Sequence, residues 1–467
     1  MRKVMLEGGR RLTQADLNRS GALPADVIAS AERIVDDVRE RGDEALRECC
    51  LRFDGACPDA FRVPDDALSR ALDAVDPAFL AALTRARDQI RDFHEREREQ
   101  SWFTTRPDGT ILGVQVTPVA SAAVYVPGGR AQYPSTVLMD TVPAKVAGVA
   151  RVVMLTPPQA DGTLSAYTLA AAALAGVDEV YAVGGAQAIA AAAYGTESVP
   201  AVDKIVGPGN AYVAAAKRYV SGDVGIDMVA GPSEVCVLAD ATADPVVVAA
   251  DLMAQAEHDP MASCYLVTCD AGLPERVLAA AETLLSQSPR EQITRASLDE
   301  RGVVVVAESL EAAVDAVNVV APEHLELHCE DAMALLGKIR NAGAIFVGAW
   351  SSEPLGDYVA GPNHTLPTGG TARFSNPLGV YDFQKRSSVI CYTPEGLLAD
   401  APAAQTLAQA EGLWAHALSV GLRRRLAEGD APDPADVRRV AWPEDLVAPA
   451  GIPLAGAAAP GDGAGEA

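Results

Sequence analysis

From residue 113 onward, short β-branched runs alternate with alanine-rich amphipathic segments. "GVQVTPVASAAVYVPGG" (113–129), "VARVVMLTP", "VDEVYAVGGAQAIAAAAYG" and "VDKIVGPGNAYVAAAKRYV" repeat the order strand, glycine-containing turn, helix. Such repetition predicts βαβ units and a parallel sheet. A second series follows: "SEVCVLAD", a helix from Asp244, "SCYLVTCD", a helix over about 273–287, then "GVVVVA" and "SLEAAVDAVNVV". Two series of similar make-up predict an α/β protein with two Rossmann-like parallel-sheet domains. Ahead of them, residues 24–53 and 78–100 carry apolar positions at helical spacing. Behind them, the glycine- and proline-rich stretch 355–379 reads as a long loop, and loops of that length usually carry function or are disordered. "AEGLWAHALSVGLRRRLAE" reads as a C-terminal helix, and the alanine-, glycine- and proline-rich tail 448–467 as disordered.

Composition narrows the picture. A chain of 467 residues has room for two domains with substantial cores. A formal net charge of −25 repels phosphate, which argues against nucleic acid as a partner. No run of 18 apolar residues occurs, so no membrane span is expected. The start, "MRKVMLEGGRRL", lacks the apolar stretch of a secretory signal. Eight scattered cysteines with no C-x-x-C pair then read as reduced thiols of a cytoplasmic protein. Cys236, beside "AGPSE", is the one thiol weighed as a covalent nucleophile, although no histidine neighbours it in sequence.

Only six histidines occur, and four of them sit among carboxylates, amides, glycines and prolines: "QAEH", "APEHLEL", "GDYVAGPNHTLPTGG" and "AEGLWAH". Histidine is the usual base near neutral pH and a common transition-metal ligand. In "DLMAQAEHDP", Asp244-Pro245 starts a helix. Asp251, Gln255 and His258 then share one stripe, while Glu257 points elsewhere. Spacing alone favours Asp251 with His258 as metal ligands, since an amide is a weak donor. "APEHLEL" places Glu323 beside His324, which suits two distinct proton transfers if both face a cleft after a helix. The competing local reading is a helix N-terminus with Pro322 in its first turn. No G-x-G-x-x-G is present. "VGGAQAIA" and "VGPGNAYV" follow strands and open helices, as an anion site at a helix N-terminus requires, or as plain tight turns do.

Taken together, "YVPGGRAQYPSTVLMDTVPAKVAGV", "GGAQAIAAAAYGT", "VGPGNAYV", "VAGPSE", "DLMAQAEHDP", "APEHLEL", "GDYVAGPNHTLPTGGTARF" and "AEGLWAHA" resemble the histidinol dehydrogenase family, in its motif order, over about residues 20–428. The resemblance implies a zinc- and NAD-dependent enzyme, with one Zn2+ per chain. It implies oxidation of L-histidinol through L-histidinal to L-histidine, with two NAD. Metal ligands then fall on Gln255, His258, Asp357 and His416, so Gln255 displaces Asp251. The catalytic pair falls on Glu323 and His324. Substrate contacts fall on Ser233, His324, Glu411 and the metal-ligand side chains, and NAD contacts on Tyr125, Gln187 and Asn210. His364 lies in the matching loop, to touch substrate or support Asp357, whereas His94 and His328 match no site.

The implied organisation is an N-terminal segment 1–20, a discontinuous Rossmann-like domain with the metal site (21–124 and 234–378), and an NAD-binding domain (125–233). A C-terminal helical segment (379–430) and an extension (431–467) follow. The termini are expected to cross over between the subunits of a homodimer. Two rival functions belong beside this one. A paralogous polyol or sulfonated-diol dehydrogenase would keep the metal and the Glu-His pair and change the imidazole-reading contacts, among which Glu411 favours histidinol. A non-enzymatic binding protein would be expected to lose a ligand or the base, and none is lost.

Overall fold

The computed structural model describes residues 1–19, 23–55, 57–128, 132–159, 161–431, 434 and 440–441. The expected disordered tail, 448–467, lies outside the described residues. The chain forms two compact units, Met1–Arg98 with Pro118–Lys385, and Glu99–Thr117 with Arg386–Ala467.

The first unit holds both parallel sheets. In chain order its elements are β1 (Arg2–Leu6), α1 (Ala25–Arg41), α2 (Asp43–Cys49), α3 (Asp65–Ala74), α4 (Pro77–Glu95), β2 (Ser121–Tyr125), α5 (Pro134–Ala147), β3 (Arg151–Thr156), α6 (Ala166–Ala175), β4 (Glu179–Ala182), α7 (Gly185–Tyr194), β5 (Lys204–Val206), α8 (Ala211–Val220) and β6 (Gly225–Ile226). Then come β7 (Glu234–Ala239), α9 (Pro245–Ala256), β8 (Ser263–Thr268), α10 (Leu273–Leu285), α11 (Glu291–Arg301), β9 (Val303–Ala307), α12 (Leu310–Val320), β10 (His324–His328) and β11 (Ala344–Val347). One sheet has the order β4-β3-β2-β5-β6 and the other β1-β9-β8-β7-β10-β11. The strands read as continuous apolar runs because helices cover both faces of each sheet. Val235, Val237 and Ala239 meet α9, while Cys236 and Leu238 lie in the core on the opposite face.

Packing regroups the expected domains. Helices α1–α4 do not join the sheet of residues 234–347. Instead α1 packs on α7 and α8, α3 on α6, and α4 on α5, around the five-stranded sheet. Apolar faces such as Ala31, Val35 and Val38 of α1 need a partner, and the alanine-rich α7 and α8 offer a close one. The N-terminal segment 1–20 contributes β1 as an edge strand paired with β9. The helix expected over 24–53 is broken at Gly42, whose φ of 57° a side chain would disfavour.

The second unit is a three-stranded sheet of Trp102–Thr105, Ile111–Pro118 and Gln384–Cys391, with helices Pro394–Ala410 and Trp414–Glu428 packed on each other. Residues 102–118 thus form an antiparallel hairpin that joins the C-terminal segment, not the start of the βαβ series.

Candidate active site

Glu323 and His324 stand where β10 begins. Helix α12 stops at Ala321, held in the left-handed region at φ 46°, and the chain turns into the sheet. The Glu323 carbonyl accepts from the Ala344 N–H at 2.8 Å, so the alternative of a helix starting at Pro322 does not form. The Glu-His pair therefore lies at the amino edge of the six-stranded sheet. The end of α9 returns to the same edge and carries Gln255.

His324 Nδ1 is 3.1 Å from the Glu234 carbonyl and 3.1 Å from Gln255 Oε1. A backbone carbonyl can only accept, so Nδ1 carries a proton, and in the neutral ring it is Nε2 that keeps the lone pair. Nε2 is buried, 3.6 Å from Asp357 Oδ1, and has no hydrogen-bond partner among the described residues. Burial opposes charge on this ring, yet the carboxylates of Glu353, Glu323 and Asp357 hold its pKa well above the usual value. Glu323 Oε2 accepts from the Glu234 N–H at 2.8 Å, and burial pushes its carboxyl up to about 7. Burial likewise raises Glu353 to about 8; its Oε2 lies 4.0 Å from His324 Nδ1.

Asp357 faces three imidazoles. Burial favours its neutral form, but His324, His364 and His258 outweigh that and hold the carboxyl below its usual range. His364 Nδ1 is 3.0 Å from the Asp357 carbonyl and its Nε2 3.3 Å from Thr136 Oγ1, so this histidine supports the Asp357 backbone. His258 lies past the C-cap of α9, where partial burial lowers its pKa. The stripe read from spacing breaks here. Gln255 turns to His324, while Asp251 turns to His328 at 3.2 Å. Ser233 directly precedes β7 on the same edge, with its carbonyl accepting from the Ser263 N–H at 3.0 Å.

The expected cofactor residues gather at the other sheet. Strands β3 and β4 lie to one side of β2, and β5 and β6 to the other, so the order reverses between β2 and β5. In open α/β sheets such a crevice, at the carboxyl ends of the strands, is where nucleotides bind. Tyr125 ends β2, and its hydroxyl accepts from the Gly185 N–H at 3.0 Å. Gln187 is buried in the first turn of α7. Asn210 caps α8, its Oδ1 accepting from the N–H groups of Tyr212 and Val213 at 3.0 and 3.1 Å. Gly207 follows β5 at φ 109°, and a Cβ there would strike the Tyr125 carbonyl.

Glu411 and His416 belong to the second unit and are exposed. Glu411 is the C-cap of helix Pro394–Ala410, and Gly412, at φ 72°, splits the single helix expected from residue 410. Cys236 is fully buried on β7, and burial pushes its thiol far up, so it offers no nucleophile. His94, which matches no site in the sequence, is buried with Nδ1 2.7 Å from Glu97 Oε2. Two residues of the site escaped sequence reasoning. Glu353, in "SSEPLGD", reads as an ordinary helix start, and Glu234, paired with Arg19 at 2.6 Å, reads as a strand end.

The model of the histidinol dehydrogenase family matches residues 17–424. The chain belongs to the histidinol dehydrogenase family. It is 53% identical over 390 residues to the histidinol dehydrogenase of Halalkalibacterium halodurans, covering 84% of this chain and 92% of that one. Against the histidinol dehydrogenase of Bacillus subtilis the identity is 52%, with 84% and 92% covered. The crystal structure of histidinol dehydrogenase from Elizabethkingia anophelis superposes with a TM-score of 0.86 at 34% identity, covering 92% of this chain and 99% of that chain. As a histidinol dehydrogenase family member the chain is an NAD-dependent oxidoreductase of histidine biosynthesis acting on a small molecule. Among the described residues, no helix is long and apolar enough to cross a membrane.

Proposed function

We propose that the chain oxidises L-histidinol to L-histidine through L-histidinal, using two NAD, as a cytoplasmic homodimer. The observation that carries this reading is the state of His324: its Nδ1 proton is pinned by a carbonyl, and its buried Nε2, 3.6 Å from Asp357 Oδ1, has no aligned hydrogen-bond partner among the described residues. In the first step Nε2 takes the hydroxyl proton of the alcohol, and NAD held by Tyr125, Gln187 and Asn210 would accept the hydride from the carbon that bears that hydroxyl. Water then adds to the aldehyde: Glu323 takes the water proton, and Nε2 returns its proton to the former carbonyl oxygen, which regenerates the base. In the last step Nε2 takes a proton from the resulting diol as a second hydride leaves, which yields the acid.

The residues fit a zinc ion. In the first unit the His258 imidazole, the low-pKa carboxylate of Asp357 and the Gln255 amide oxygen are donors that suit it, and His416 would supply a second imidazole. Such an ion would hold the amine and imidazole nitrogens of the substrate and take up the charge of Asp357, which favours neutral His324. Ser233 and Glu411 complete the substrate contacts. Glu411 accepts a hydrogen bond from the far ring nitrogen and selects substrates that carry that ring. Tyr125, Gln187 and Asn210 hold NAD; the Asn210 Oδ1 is spent on its cap, which leaves its amide N–H groups for the ligand.

The test is NADH formation by the purified protein with L-histidinol against a panel of polyols and sulfonated diols. Preference for a substrate without an imidazole would overturn the reading.

A further inference from the structure

Strand β10 carries a second polar cluster that the proposed chemistry does not use. Its residues alternate as "HLELH". Leu325 and Leu327 enter the apolar core on one face. His324, Glu326 and His328 share the other, in register with Val235, Val237 and Ala239 of β7. Those neighbours are apolar and pack against α9, so a polar row beside them is buried among hydrocarbon. Only His324 of that row belongs to the site above. Glu326 and His328 are turned toward Asp251 of α9, and one ligand atom from each of the three lies within 4.8 Å of the others.

The geometry is not that of a hydrogen-bonded network. His328 Nε2 is 3.2 Å from Asp251 Oδ2 and 3.6 Å from Glu326 Oε2. Yet none of these three atoms has an aligned hydrogen-bond partner among the described residues, and neither has His328 Nδ1. All three residues are more than nine-tenths buried. The remaining Glu326 oxygen, Oε1, accepts from the Glu353 N–H at 2.8 Å and so fixes the direction of Oε2. Ligand atoms about 2.0–2.1 Å from a tetrahedral ion stand roughly 3.3 Å from one another. The two separations from His328 Nε2 bracket that spacing. Against burial, the two carboxylates hold the His328 pKa up at about 9, and an imidazolium there offsets at most one of their charges, whereas a divalent cation beside the neutral ring offsets both.

We infer that Asp251, Glu326 and His328 form a second, structural site for a divalent transition-metal cation, of which Zn2+ is the best match. The imidazole nitrogen argues against magnesium and calcium, which take oxygen ligands. The site is separate from the proposed catalytic one. Asp251 precedes Gln255 by one helical turn, roughly 6 Å along α9. His328 follows His324 by four residues, roughly 13 Å along β10. An ion here ties α9 to β10, the two elements that deliver Gln255 and His324, and so sets the height of one against the other.

The test counts metal and does not read activity. Chelator-stripped full-length protein is dialysed against Zn2+, freed of excess and analysed for zinc. Wild type is expected to hold about two ions per chain, and His328→Gln and Asp251→Asn about one each. His258→Ala is expected to hold about one as well, the structural ion. One zinc in wild type, or an undiminished count in both cluster variants, overturns the inference, and the wild-type count stands even if a variant fails to fold. Loss of an ion in His328→Gln together with an unchanged count in His258→Ala would leave this site standing and refute the proposed catalytic one.

Discussion

Glu323→Gln should separate the two oxidations. Only the second needs an activated water, so only the second should depend on an ionised Glu323. Gln keeps an oxygen for the Glu234 N–H, so the backbone contact at 2.8 Å survives and the fold is undisturbed. Loss of a positioned general base typically costs about 10²–10⁴ in rate, or roughly 3–5 kcal/mol of barrier. That loss is expected with histidinal as substrate, against less than about tenfold with histidinol. The pH dependence supplies a second check. Burial raises the Glu323 carboxyl to about 7, so the base form accumulates as pH rises through that value. With a midpoint there, about a tenth is ionised one pH unit below and about nine-tenths one unit above. Wild-type histidinal oxidation should climb over this window and level off, and the climb should vanish in Glu323→Gln. The sign for folding is opposite. A carboxyl raised in the folded state withdraws stability as pH rises from its ordinary value, so the variant should gain stability relative to wild type above neutrality. The assay follows NADH with each substrate supplied separately to both proteins. Equal losses in the two oxidations, or an unchanged pH limb in the variant, refute water activation by Glu323.

Three further outcomes follow from the proposed site. Prolonged chelation should abolish turnover and zinc should restore it; full activity in a metal-free sample would remove the metal from the reaction. If His416 completes the site of the partner subunit, mixing inactive His258→Ala and His416→Ala proteins under subunit exchange should restore about a quarter of wild-type activity, and no recovery would place both ligands on one chain. Asn210→Ala should cost about 1 kcal/mol of stability through the lost cap and weaken NAD binding with little change in the KM for histidinol; an unchanged NAD affinity would remove Asn210 from the cofactor site.

Much of this architecture was legible because burial on both faces leaves a plain mark. Runs such as "VVVVA" and the alanine-rich helices predicted two parallel sheets, and both are present. Which helices cover which sheet was not legible, since α1–α4 carry apolar stripes that fit either one, and only packing chooses. Interruptions at Gly42 and Gly412 were passed over because the hydrophobic period continues through them, while the backbone there is left-handed. At the site, motif resemblance located Glu323, His324, Gln255 and Asp357 together. Spacing alone had favoured Asp251, because a helical stripe says which residues share a face and nothing about which strand meets it. Glu353 and His328 were invisible for a related reason: their environment comes from chain far away in sequence.

The alternation in β10 also bears on folding fidelity. An internal strand clothed on both sides in aliphatic residues can be threaded one position out of step at little cost, and such misthreaded forms persist as traps that expose edges to other chains. A one-residue slip of "HLELH" would drive two histidines and a glutamate into the leucine and valine layer under α12, and expel Leu325 and Leu327 from it. Every slip by an odd number of residues is thereby heavily penalised before the neighbouring strand docks. The polar row acts as a proofreading key, and replacing it by valines should yield a chain that folds more slowly and aggregates more readily during refolding, even where the final state is no less stable.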